Sequence, residues 1–247
     1  MAFAPLVTFV SKATGKPIAP AADFFIMKVT GIAGSPRGKN SSTLRLIEAA
    51  LAGAGQAGAE VEIIDITKLQ INYCKGCGTC YSKGRCGQDD DFCYVLDKIT
   101  DSDGIVLGSP AYFDSVTAQM KTLMDRMSDA IHCQQLSGKY GFAVCTTGSS
   151  GEGPVTNYMN DFLVMCGAFV TGGVGAAVGI DPCSMDRASK TAYAMGKDLV
   201  IAVREKRAYP EQEDRQRKIR KWLRERILAN KEPWAHDYFY WTQQGWI

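Results

Sequence analysis

The sequence predicts an α/β protein of three layers, with a doubly wound, parallel, five-stranded sheet at its centre. Three observations carry this. Short apolar runs alternate with helical stretches from residue 27 to residue 178, as in strand–helix units that build a parallel sheet covered on both faces. The chain has 247 residues, 46% hydrophobic and 22% charged, enough apolar mass for one large core. Glycine- and serine-rich stretches follow successive strands, where such sheets bind their ligands.

Taken in order, residues 27–33 read as a buried strand, 43–57 as a helix and 61–64 as a second strand. Residues 89–100 look helical, 104–107 form a third strand, and 115–127 are an amphipathic helix. A fourth strand follows at 141–145, a helix at 155–166, and a glycine-broken fifth strand at 169–178. This central domain is placed at 27–203. Residues 1–26, with Pro5, Pro17 and Pro20, form an arm. Residues 204–247 add a charged helix at about 211–230 and an aromatic tail with Trp234, Tyr238, Phe239, Tyr240, Trp241 and Trp246.

No run approaches the ~18 apolar residues of a membrane span. Residues 2–10 are apolar, but no basic residue precedes them, so no secretory leader is expected. Net charge is +2. Between Arg204 and Arg226 ten Lys/Arg face five Asp/Glu, yet no recognition motif accompanies them, so a solvated or bridging helix is expected and not a nucleic-acid surface. Four of the nine cysteines fall within thirteen positions. That clustering fits metal ligation better than a disulfide framework and points to a reducing compartment, the cytoplasm.

The first strand runs into Gly34-Ser35-Pro36-Arg37-Gly38-Lys39-Asn40-Ser41-Ser42-Thr43, just before a helix. A helix start offers unpaired N–H groups and a positive dipole end to one phosphate. Ser35, Ser41, Ser42 and Thr43 add hydroxyls, and Arg37 adds a planar cation. The loop lacks G-x-x-x-x-G-K-[ST] and G-x-G-x-x-G, which argues against a nucleoside-triphosphate or dinucleotide loop. An ordinary helix cap at Ser41 or Ser42 would use the same residues.

After the second strand comes Cys74-x2-Cys77-x2-Cys80-x5-Cys86, within a segment placed at 74–93. Two successive x2 spacings let thiolates converge, and Gly76, Gly78, Gly84 and Gly87 let the backbone wrap. The run resembles iron–sulfur ligation, although its last spacing and missing proline differ from the bacterial ferredoxin pattern. Zinc or a C-x-x-C redox pair remain the alternatives, and Cys93 reads as a bystander. The third strand ends in Ser109-Pro110-Ala111-Tyr112-Phe113-Asp114-Ser115-Val116, the fourth in Thr146-Thr147-Gly148-Ser149-Ser150-Gly151. Proline, aromatics and small residues can lie against a planar ring while offering backbone donors. His132 and His236 have no partner motif, and no Ser–His–acid set accompanies the Gly148 loop.

These residues together resemble the NADPH-dependent FMN reductase family of flavodoxin-like proteins, and within it the iron–sulfur flavoproteins. The resemblance spans residues 27–181. It rests on Gly34-Ser35-Pro36-Arg37 with Ser41 and Thr43, the compact cysteine run, Ser109-Pro110-x-Tyr112-Phe113, and Lys121 with Asp125-Arg126. It implies a flavodoxin-like domain with a cysteine-rich insert after the second strand. Ser35, Arg37, Ser41 and Thr43 would bind the FMN phosphate, with Ser42, which stands where many relatives carry asparagine. Pro110, Tyr112, Phe113, Thr147 and Gly148 would contact the flavin, with Ala111 between them. Cys74, Cys77, Cys80 and Cys86 would hold a 4Fe-4S cluster that exchanges electrons with FMN. NAD(P)H or a ferredoxin would be the redox partner of a homodimer or homotetramer, the aromatic tail serving as subunit contact. The alternatives are a cluster-free NAD(P)H-dependent flavin or quinone reductase and a carrier or sensor module docking on a larger redox complex. The arm and the tail beyond residue 208 have no counterpart in this resemblance.

Overall fold

The structure, a computed structural model, describes residues 26–247; the arm expected over 1–26 lies, Ile26 apart, outside the described residues. The chain runs β1 (Lys28–Ala33), α1 (Ser42–Gln56), β2 (Glu60–Asp65), α2 (Thr79–Lys83), α3 (Phe92–Asp101) and β3 (Gly104–Pro110). It continues through α4 (Ala118–Arg126), α5 (Ser128–His132), β4 (Tyr140–Thr147), α6 (Glu152–Met165), β5 (Phe169–Ala177), α7 (Ser184–Glu205), α8 (Pro210–Ala229) and α9 (Ala235–Gln243). The five strands form one parallel sheet in the order β2-β1-β3-β4-β5. The expected fold class is therefore the observed one.

Alternation along the strands builds the two outer layers. Ile105 and Leu107 of β3 and Ala143 and Cys145 of β4 join the core under α3, α4 and α6. Val106, Phe142 and Val144, one residue out of phase, join the core under α1 and α7. With side chains alternating faces, strands covered on both sides read as continuous apolar runs, and β4 is buried throughout.

The 22-residue α7 is absent from the sequence-based element list. Its buried face is built mainly from Ala188, Ala192, Gly196, Leu199 and Val200, too small and mixed to give a strong apolar stripe. Small residues serve close packing here. A Cβ on Gly196 would lie 1.8 Å from the Ala50 carbonyl oxygen of α1, and one on Gly53 of α1 would lie 2.0 Å from that of Tyr193. Backbone cannot yield as a side chain does, so Gly196→Ala must prise the helices apart. Overpacking of this kind costs about 1–3 kcal/mol. A lowered thermal or urea midpoint is expected, and a midpoint equal to the parent's would show that the helices have room.

The C-terminal segment folds back onto the domain and packs much of its aromatic content within the chain. Trp241 is 1% exposed and packs with Leu223 and Ile227 of α8, flanked by Trp234, Tyr240 and Trp246. Of the six tail aromatics Phe239 alone is more than half exposed. Most tail aromatics thus pack into a core within the chain, while Phe239 stays exposed. On α8, the Gln216 amide donates to the carbonyls of Gly167 and Ala168, and Gln212 both donates to the Val170 carbonyl and accepts from its N–H.

Candidate functional site

All the loops singled out in the sequence lie at the carboxyl edge of the sheet. In this strand order the edge is crossed by a topological switch point between β1 and β3, where α/β sheets form ligand crevices. There the first loop, the β3 loop and the β4 loop line one open cleft of about 420 Å³. Ten of the eleven residues expected at a cofactor line it: Ser35, Arg37, Ser41, Ser42, Thr43, Pro110, Ala111, Tyr112, Thr147 and Gly148. Thr146 and Val178, not foreseen, complete the lining. Phe113 does not join them; it is fully exposed at the tip of a turn.

Local chemistry sets each wall. Ser41 caps α1, its Oγ accepting from the Leu44 N–H at 3.0 Å, which leaves the hydroxyl hydrogen available to a ligand. Ser35, Ser41 and Thr43 are buried at 4%, 1% and 1% exposure. Thr43 Oγ1 and Thr146 Oγ1 lie 2.6 Å apart, tying the first loop to β4. Thr117 Oγ1 donates to the Gly34 carbonyl at 2.6 Å, tying it to the β3 loop. Arg37 is exposed and has no ion pair among the described residues. The β3 loop closes through reciprocal Tyr112–Ser115 backbone bonds of 2.9 and 3.1 Å. Phe113 and Asp114 both take positive φ, 51° and 56°, a backbone region bulky residues seldom occupy. Such local strain concentrates at ligand-binding loops.

The cysteine loop leaves β2 at the same edge. Asp90 and Asp91 staple its two arms together: Asp91 accepts from the Gln70 N–H at 2.7 Å and Asp90 from the Asn72 N–H at 2.9 Å. Between them, Gly76, Gly78 and Gly84 take φ of 61°, 70° and 74°, which glycine adopts at no steric cost. All nine cysteines are free thiols. Three sulfurs of the run lie near donors: Cys74 accepts from the Gly76 N–H at 3.4 Å, Cys77 lies 3.2 Å from the Thr79 hydroxyl, and Cys86 accepts from Arg126 at 3.2 Å. The Thr79 hydroxyl, seconded by the Thr79 N–H, lowers the Cys77 thiol. Cys80 is the opposite case, pushed up to about 12 by burial and then by the Asp129 charge. A bound cation would have to offset that. Cys93 points at the Cys86 carbonyl, 3.9 Å away.

Arg126 is the residue that sequence reasoning undervalued. Its side chain is 1% exposed, and its fork grips the Asp90 side chain (0% exposed) through bonds of 2.6 and 3.0 Å. It also donates to the Asn72 carbonyl at 2.7 Å and lies over the Phe92 ring. One guanidinium thus holds both arms of the cysteine loop and one of its sulfurs. A signal existed: Arg126 stands three residues after Leu123, on the buried face of α4. Lys121, by contrast, pairs with Asp125 at the surface.

A phosphate-sized helix start, two loops suited to a planar ring and a thiol-rich fourth loop on one edge of a 2-1-3-4-5 sheet define a flavin-binding redox protein. The chain belongs to the NADPH-dependent FMN reductase family, whose model matches residues 27–182. It is 36% identical to an iron–sulfur flavoprotein of Archaeoglobus fulgidus over 228 residues, covering 90% of this chain and all of that protein. That span runs past residue 182 into the C-terminal helices, which therefore have a counterpart. An iron–sulfur flavoprotein of Methanocaldococcus jannaschii is 37% identical over 191 residues, 72% of this chain and 98% of that one. A solved NAD(P)H:quinone oxidoreductase from Methanothermobacter marburgensis shares the fold, with a TM-score of 0.57 at 17% identity over 70% of this chain and 97% of that one.

Proposed function

We propose that this FMN-dependent oxidoreductase is an iron–sulfur flavoprotein that passes electrons between FMN and a 4Fe-4S cluster. The observation that supports this most is the shared edge. Residues from three strand-end loops line one cleft, and the stapled cysteine loop leaves the adjacent strand beside them. Ser35, Arg37, Ser41, Ser42 and Thr43 hold the FMN phosphate; Pro110, Ala111, Tyr112, Thr147 and Gly148 flank the flavin, with Phe113 at the rim. Cys74, Cys77, Cys80 and Cys86 ligate the cluster, a reading the donors at three of these sulfurs favour. When bound, the flavin exchanges one or two electrons and the cluster one. The chain's own part is binding and tuning: no side chain need act as acid or base, and Arg126, donating to Cys86, fixes the position of that sulfur.

The reducing partner is NAD(P)H or a ferredoxin-like carrier, and the working form is a homodimer or homotetramer in the cytoplasm, in keeping with nine free thiols. No described helix is long and apolar enough to cross a membrane. Anaerobic purification followed by iron, sulfide and flavin analysis tests the reading. FMN without iron or sulfide would replace it with a cluster-free flavin or quinone reductase.

Arg37 gives a sharper test of the cleft. Among the described residues its charge faces no carboxylate partner, so its contribution should appear on ligand binding. Arg37→Ala is expected to weaken FMN binding by about 1.5–3 kcal/mol, the range for a hydrogen bond to a charged group. Fluorescence titration of the apoprotein measures this, and an unchanged dissociation constant would sink the phosphate assignment.

A further inference from the structure

We propose that Asp129, Cys133, His236 and Asp237 form a second metal site, distinct from the cysteine run, that takes one zinc ion. Asp129 lies in α5 and Cys133 caps its end, four residues on and hence on the same face. His236 and Asp237 open α9, more than a hundred residues away, and the fold of the tail brings them together.

One donor atom from each residue falls within 4.8 Å of all the others. His236 Nδ1 is 3.5 Å from Asp237 Oδ1 and 3.7 Å from Asp129 Oδ1. Cys133 Sγ is 3.8 Å from the same Asp237 oxygen and 3.9 Å from the same Asp129 oxygen. Tetrahedral zinc, with bonds of about 2.0–2.3 Å, sets neighbouring ligand atoms about 3.3–3.6 Å apart. The four edges just given need contract by at most about 0.6 Å, and the other two lie within 4.8 Å.

The donors are otherwise poorly satisfied. Asp237, Cys133 and Asp129 are 0%, 0% and 4% exposed, and the single Cys133 hydrogen faces two carboxylate oxygens. His236 Nδ1 is buried without a hydrogen-bond partner. Neither carboxylate pairs with a lysine or arginine among the described residues. The two carboxylates face one another, and a cation held between them would offset their mutual repulsion.

An outer shell is already in place. The second oxygen of Asp237 lies 2.8 Å from His132 Nδ1, and that of Asp129 accepts from the Gln135 amide at 2.7 Å. Trp241 anchors the His132 backbone at 2.8 Å. Outer partners of this kind orient the ligands of protein metal sites. One thiolate, one imidazole and two carboxylates suit zinc, whereas calcium and magnesium prefer oxygen alone.

The site stands under the cysteine loop. Tyr81 of α2 stacks on His132 with ring centroids 4.2 Å apart, and the His236 ring lies where a Cβ on Gly84 would come within 2.4 Å of it. Zinc here would fasten α9 to α5 next to α2 and so support the cysteine loop through Tyr81 and Gly84.

Metal analysis of anaerobically prepared holoprotein tests this. About one zinc per chain is expected in addition to iron. His236→Ala and Asp237→Asn should each weaken zinc binding by on the order of tenfold or more, with FMN content reporting that each variant is folded. With cobalt(II) as probe, the thiolate-to-metal band should disappear in Cys133→Ala. Zinc lost in Cys77→Ala but kept in His236→Ala would belong to the cysteine run and overturn the proposal. So would holoprotein that holds no zinc and gains no thermal stability when zinc is added.

Discussion

Replacing any one of Cys74, Cys77, Cys80 or Cys86 by alanine is expected to empty the cysteine loop of iron while FMN stays near stoichiometric. Losing a partner of a metal ligand already costs on the order of 10–100-fold in metal affinity. Losing a ligand itself opens an iron to water and oxygen, so the four should fail as one unit. FMN should survive, because the cleft is lined from the loops after β1, β3, β4 and β5 and by no cysteine of the run. Cys166→Ala, at a thiol deep in the core, and Cys93→Ala should retain iron. Iron, sulfide and flavin assays on the anaerobic variants decide the matter. Parental iron in any of the four would remove that residue from the ligand set.

Arg126→Met should be the most damaging single change outside the cysteines. Removing one partner of a buried ion pair strands the other charge, at a cost of about 3–5 kcal/mol. Here the stranded Asp90 is the residue that staples the cysteine loop, so iron should fall together with stability. Arg126→Lys should rescue little, since an ammonium cannot supply the fork that reaches Asp90, Asn72 and Cys86 together. Acid should unmask the same pair. Burial raises the Asp90 carboxyl, but the Arg126 hydrogen bonds, the N–H groups of Asn72 and Phe92 and the Arg126 charge outweigh it and hold it at about 2. Because the folded value lies below the unfolded one, this stabilisation is complete above about pH 4 and is lost as pH falls toward 2. The gap in unfolding free energy between parent and Arg126→Met should be widest near neutral pH and narrow as acid protonates the stranded Asp90 of the variant, closing further as the paired Asp90 of the parent is reached. A gap independent of pH over the whole range would contradict the ion-pair account.

What could be read in the sequence follows physical range. The five strands and the three cleft loops are local patterns, apolar runs ended by glycine, serine and proline, and the structure keeps their order and brings their loops together. Phe113 is the exception, because its exposure depends on two successive left-handed residues that no local propensity favours. The helix over Ser184–Glu205 escaped because small residues packed against α1 carry little hydrophobic signal. Asp129, Cys133, His236 and Asp237 carry no common motif, since their proximity is made only by the return of the tail. The aromatic tail was visible as such, but which of its side chains the chain itself covers, Trp241 above all, only the fold shows.

Gln212 has a consequence for how molecules of this protein meet. β5 is an outer strand rich in glycine, with no clean two-sided pattern to fix its register, and such a margin can template the addition of a strand from a neighbouring chain. By giving Val170 both a donor and an acceptor, the Gln212 amide imitates the next strand at that point and occupies the position a foreign backbone would take. The opposite margin, β2, presents Glu60 and Glu62, charges that discourage the same approach. With charges on one margin and the Gln212 amide at Val170 on the other, both edges of the sheet carry features that discourage its extension by a second chain.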